Sequence, residues 1–213
     1  EALGGDVGTV VEEVARLTGR QVEQLEEKLC EDLLNLEDSL FQEFLKKITD
    51  DIEKAVRTSW GGLDMLDDEE YHDENFTVLF PGYLSSPLLI ITRCRAQVES
   101  ALGDTIRMNS EGRTYQFLAL SMASECFVHA MCNEINERMP QLGNRSCSRL
   151  VAELQFLTNI LKLYLRRETL SHAADVRDRL RDRTQNRDVG PDGLRAIEEL
   201  ERLGRVYVLC LGD

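Results

Sequence analysis

Aromatic residues make up only 6% of this 213-residue chain, with one tryptophan, Trp60, and there are only four prolines, Pro81, Pro87, Pro140 and Pro191. So little proline beside so much Leu, Glu, Arg and Ala fits an all-helical protein. No run reaches the roughly 18 apolar residues that a membrane-spanning helix needs. Glu1-Ala2-Leu3-Gly4 offers neither the basic start nor the apolar core of a signal peptide. There is no initiator Met either, so the chain reads as a fragment of a longer protein, and any targeting signal would belong to the missing part. A Gly-rich phosphate loop and a Gly-x-Ser-x-Gly elbow are both absent, which removes the two commonest signatures of nucleotide and acyl chemistry. Repeats at solenoid periods are absent too.

What is abundant is acid. Thirty-nine acidic residues against 25 basic give a formal net charge of -14, which on average repels nucleic acid and anionic lipid. The densest basic stretch, Arg166, Arg167, Arg177, Arg179, Arg181 and Arg183, is interleaved with Glu168, Asp175, Asp178 and Asp182. It reads as a solvated helix face laced with ion pairs. Apolar residues are 42% and charged residues 30%, a globular balance that excludes wholesale disorder.

The six cysteines are Cys30, Cys94, Cys126, Cys132, Cys147 and Cys210. Most fall inside helical patterns without the dense spacing of a small secreted scaffold, so buried free thiols in a reducing compartment are expected. A secreted or surface protein with disulfides is the alternative, and the triplets Asn75-Phe76-Thr77 and Asn144-Arg145-Ser146 match the glycan acceptor pattern. A second alternative, a helical enzyme or metal protein, draws on Glu125, Cys126, His129 and Cys132. On a helix Cys126 and Cys132 point about 120° apart, whereas metal ligands must converge. Glu134 and Glu137 form an i,i+3 acid pair of an ordinary kind. Neither a catalytic residue, a metal nor a cofactor is expected.

One pattern dominates the rest. Val22, Leu25, Leu29, Leu33, Leu36, Leu40, Phe44, Ile48, Ile52 and Val56 follow one another at steps of three or four residues, predicting a single long amphipathic helix. Thr9 and Glu12 suggest a capping box for a short helix before it, and Gly19 either separates the two helices or lets them run together. Gly61-Gly62 stops the long helix. An acidic loop follows to residue 86, with Asp64, Asp67, Asp68, Glu69, Glu70, Asp73 and Glu74, and no register in it supplies the Gly of a calcium loop. Ser86-Pro87 is the expected start of the next helix, which Gly103 ends. Further helices are predicted over about 114–139 and from Asn144 or Ser146 past Leu165, with a bend near Thr169 into a charged helix that ends about Arg183. A last one is capped by Asp192 and stopped by Gly204, and an extended or helical tail, Val206 to Leu211, packs against the bundle.

The predicted organisation is therefore an all-α, elongated bundle. A long helical segment (1–60), an acidic loop (61–86) and four or five shorter antiparallel helices (87–213) form a single folding unit. The shorter helices can cover only about half of the stripe. The remainder, toward Val22 and Leu25, needs either the first short helix or another chain to cover it, and Val22, Leu25, Leu29 and Leu33 are the expected binding face for such a partner.

Two stretches carry a resemblance: Tyr83-Leu84-Ser85-Ser86-Pro87-Leu88-Leu89 running into Arg95-Ala96-Gln97-Val98-Glu99, and Val151 to Leu165. With Leu40-Phe41-Gln42-Glu43-Phe44 before them, their order resembles the C-terminal helical region of an exocyst subunit, most of all the fungal subunit called Sec-five. More broadly, it resembles the helical rods of multisubunit tethering complexes. The resemblance implies a non-catalytic cytoplasmic scaffold in exocytosis. Its partners would be other helical subunits rather than nucleic acid, and any contact with the plasma membrane would be peripheral and made through those partners.

Overall fold

Long stretches without Pro or β-branched runs leave the helix as the only regular structure that can bury this pattern, and the computed structural model is all-α. It describes residues 6–60, 81–102, 114–184, 198–202, 204–207 and 211, apart from the side chains of 6–12, 20, 21, 102 and 145. No β-strand occurs among them. In chain order the helices are α1 (Asp6–Ser59), α2 (Gly82–Leu102), α3 (Tyr115–Arg138), α4 (Asn144–Ile160) and α5 (Arg167–Arg183), with single 3-10 turns at Met139–Gln141 and Lys162–Tyr164.

Contacts divide the chain inside α1, into Glu1–Phe44 and Leu45–Asp213. The last turns of α1 thus belong with the helices that follow. Leu45, Ile48, Ile52, Val56 and Trp60 are buried there. The Cys126 thiol of α3 reaches the Thr49 carbonyl at 3.6 Å. Glu134 of α3 lies 3.8 Å from Arg57 and 3.3 Å from Arg138. Glu134 is therefore committed to fastening α1 onto α3 and is not half of an acid pair with the exposed Glu137. Within the same unit α2 packs on α3, α3 on α5 and α4 on α5.

Several boundaries differ from the sequence reading for physical reasons. α1 begins at Asp6, before the Thr9 cap, and runs through Gly19 without a break. α2 begins at Gly82, five residues before Pro87, so residues 82–86 belong to the bundle and not to the acidic loop. Its first amides, of Leu84 and Ser85, donate to the Pro81 carbonyl at 3.0 and 2.8 Å. Pro87 then sits within the helix at the cost of one backbone hydrogen bond. α3 starts where Thr114 caps it, its hydroxyl accepting from the Phe117 amide at 3.1 Å.

The turn between α4 and α5 comes at residues 161–166, earlier than Thr169, in a stretch with neither Gly nor Pro. It is held from elsewhere in the fold. The Glu125 carboxylate, 6% exposed, accepts from the Arg166 amide at 3.1 Å and from Arg166 Nε at 2.6 Å, with Nη2 also in contact. The acid thereby satisfies an orphan amide at the start of α5 and stands where the helix dipole favours it. Ser121 adds a hydrogen bond to the Tyr164 carbonyl at 2.6 Å.

Gly204 is helical rather than a stop. A Cβ there would come within 2.5 Å of Phe156 Cε2 and nearer still to Cζ, so only glycine lets that backbone lie on the buried Phe156 ring. The tail closes on the bundle where Tyr164 donates to the Leu211 carbonyl at 3.0 Å. The 61–80 part of the acidic loop, His72, the Asn75 triplet, the connector at 109–112, Asp192, Leu194, Ile197, Leu203 and Cys210 lie outside the described residues.

Candidate interaction surface

Folding normally buries large apolar side chains, and in the unit from Leu45 onward it encloses Leu84, Leu88, Ile91, Phe127, Met131, Leu150 and Leu157 fully, while Leu89, Phe117, Met122, Leu163 and Val206 stay exposed. The α1 stripe before Leu45 behaves differently. The four residues expected to bind a partner stay exposed, Val22 at 49%, Leu25 at 68%, Leu29 at 60% and Leu33 at 56%. Leu36 and Leu40 continue the same row and are exposed as well. Scattered exposed leucines need no explanation, but a row of six on one helix is a contiguous apolar surface of the kind that marks a docking site.

The setting of this row is acidic. From Val22 to Phe44 there are eight acidic residues and one basic one, Lys28. Hydroxyls on this helix turn back onto their own backbone. Ser39 turns its hydroxyl back onto the Asn35 carbonyl at 2.8 Å, and Thr18 does the same to Val14 at 2.6 Å.

The residues proposed for metal or thiol chemistry are brought to different neighbours. Cys126 faces the Thr49 carbonyl, Cys132 is enclosed in the core, and Glu125 is occupied by Arg166. His129 lies 3.4 Å from the Thr169 hydroxyl, with its ring 5.6 Å from that of His172. Burial pushes the Cys126 thiol up to about 12, helped by Glu53 and Asp50, and burial likewise pushes Cys132 up to about 12. Such thiols hold their protons at neutral pH and make poor nucleophiles. Among the described residues no three His, Cys, Asp or Glu side chains converge as a metal site would require. The described cysteines, Cys30, Cys94, Cys126, Cys132 and Cys147, stand as separate thiols. Of the two acceptor triplets, the second places Asn144 on the surface and Ser146 in the interior.

One polar cluster escaped the sequence reading. Tyr83 of α2 donates to Glu153 Oε2 at 2.6 Å, and Arg149 Nε donates to Glu153 Oε1 at 2.8 Å. Glu153 is 1% exposed, and the Tyr83 ring lies tilted at 45° to Trp60 with the centroids 4.7 Å apart. Burial, then the Glu153 charge, pushes the Tyr83 phenol well up, so it remains a donor. Burial also raises Glu153, against the opposing pull of Arg149. Every polar tip in this cluster except the Trp60 indole N–H is satisfied by its neighbours, as expected of a structural clasp. The i,i+4 spacing of Arg149 and Glu153 was visible in the sequence; that Tyr83, 70 residues away, completes it was not.

A cleft of about 240 Å³ lies between α4 and α5, lined in part by Thr158, Asn159, Lys162 and Arg177. Arg177 Nη1 is taken up by Gln155. No described helix is long and apolar enough to cross a membrane. Comparison with protein-family models, curated proteins and solved structures gives no match.

Proposed function

We propose that this chain is a non-catalytic helical scaffold subunit of an intracellular vesicle-tethering assembly of the exocyst kind. The observation that carries the scaffold reading is the row of exposed leucines on α1, which is an unused apolar face on an otherwise well-packed helical protein. The high thiol pKa values and the commitment of Glu125, Glu134 and Glu153 to structural contacts support a non-catalytic role. The tethering assignment rests on the resemblance over Tyr83–Glu99 and Val151–Leu165. In this reading the protein is cytoplasmic, binds no nucleic acid, and approaches the plasma membrane only through its partners.

The test is purification of the full-length tagged protein from its own cells after mild cross-linking. Stoichiometric recovery of other helical tethering subunits, together with vesicle accumulation when the protein is depleted, is the expected result. Recovery of the chain alone, with secretion unaffected, would refute the reading.

A further inference from the structure

The exposed row has a finer period than a simple amphipathic stripe. Val22, Leu25 and Leu29 are spaced by three and four, and a further step of four leads to Leu33, Leu36 and Leu40, which repeat the spacing; Phe44 opens a third set. This is an 11-residue repeat, which returns to nearly the same direction after about three turns and makes a seam of slight right-handed supercoil. The flanks repeat with it. Glu26 and Glu37 fall 11 residues apart on one side of the seam, and Asp32 and Glu43 fall 11 apart on the other.

From this arrangement we infer that the occupant of the seam is a helix of another protein, with the same apolar spacing and with Lys or Arg along both flanks, and not a second copy of this chain. The inference deepens the scaffold reading and rests on it. In a two-stranded seam the flanking positions of the two helices meet and set partner choice. With acid on both sides, a second copy would place carboxylate rows against each other whether it lay parallel or antiparallel. A helix with basic flanks turns the same four positions into attractions in either orientation.

The experiment uses the full chain and two synthetic helical peptides with an identical three-four-four leucine seam, one with Lys and the other with Glu at the flanks. Binding is followed by fluorescence anisotropy at low and high salt, and the chain alone is examined by sedimentation. The Lys-flanked peptide is expected to bind between about tenfold and a hundredfold more tightly than the Glu-flanked one, with the advantage shrinking in high salt. The double variant Leu29→Gln/Leu33→Gln should lose binding. The variant Glu26→Lys/Asp32→Lys/Glu43→Lys, which leaves the seam intact, should reverse the preference.

Equal binding of the two peptides, binding that survives the Leu29→Gln/Leu33→Gln change, or no binding of either peptide would overturn the inference. So would self-association of the wild-type chain that Leu29→Gln/Leu33→Gln abolishes, because the occupant would then be a second copy. A scaffold docked through another surface would fail here and still co-purify with its assembly from cells. Failure of the inference is thus distinguishable from failure of the scaffold reading.

Discussion

The exposed and buried portions of α1 allow a matched comparison inside one helix. Ile52 is fully enclosed, and truncating it to Ala removes buried methyl groups and leaves a cavity, a change that costs about 2–5 kcal/mol. At about 2–4 °C per kcal/mol for a unit of this size, the melting temperature should fall by about 4–20 °C. Leu33 is 56% exposed, and Leu and Ala are both good helix formers, so Leu33→Ala should cost about 0.5 kcal/mol or less. The assay is urea unfolding followed by two signals at once. Trp60 is the sole tryptophan, is wholly buried, and reports on the unit from Leu45 onward. Far-UV circular dichroism reports on all helices, including the turns around Leu33. Ile52→Ala should shift the Trp60 transition to lower urea, and Leu33→Ala should leave both signals in place. A loss of more than about 1.5 kcal/mol in Leu33→Ala by either signal would show that the row is part of a core, because surface substitutions do not reach that size. Leu33 would then serve the fold and not a docking face.

The Glu153 clasp should show the asymmetry of buried ion pairs. Arg149→Met leaves the carboxylate with Tyr83 alone and should cost about 2–3 kcal/mol, allowing for the partial exposure of Arg149, whereas adding Glu153→Leu together with Tyr83→Phe, which removes the phenol that the loss of Glu153 would otherwise orphan, should recover most of it. Gly204→Ala drives a methyl into the Phe156 ring and should cost about 1–3 kcal/mol in urea unfolding; in a Phe156→Leu background the same change should cost much less. Partial desolvation of an otherwise exposed ring, followed by the nearby His172 and Arg166, holds His129 below its ordinary value of 6.5 despite the opposing pull of Glu125, an effect that solvent screening keeps small. The unfolded chain then binds the proton more readily than the folded one, so stability is full above that value and falls as pH drops through it. Melting temperatures between about pH 8 and pH 5 should decline less steeply in His129→Gln than in the wild type.

Helices α3 and α4 were legible because their signals are local: Pro140 and Gly143 as terminators, and apolar residues at helical spacing on either side of them. The turn at 161–166 was not, because what fixes it is Glu125 on another helix, some forty residues earlier. Gly204 misled for a related reason. Its lack of a side chain serves a close approach to Phe156 and does not end the helix.

The α1 stripe runs through the sequence as one feature from Val22 to Val56. Every step in it is indeed three or four residues, but the order of the steps changes. Up to Leu36 threes are mixed with fours, and the apolar direction stays nearly constant. From Leu36 onward every step is four, and with no step of three after Phe44 to bring it back, each further step carries the pattern about 40° round an ideal helix. A third 11-residue repeat would put residues 47 and 51 in the seam, and these are Lys47 and Asp51. The repeat therefore ends at Phe44, the last residue before the contact boundary. A constant direction suits one straight neighbouring helix, while a direction that turns suits a helix end enclosed by several. On that reasoning the change of period separates the residues that serve the fold, Ile48, Ile52 and Val56, from those left exposed, Val22 to Leu40.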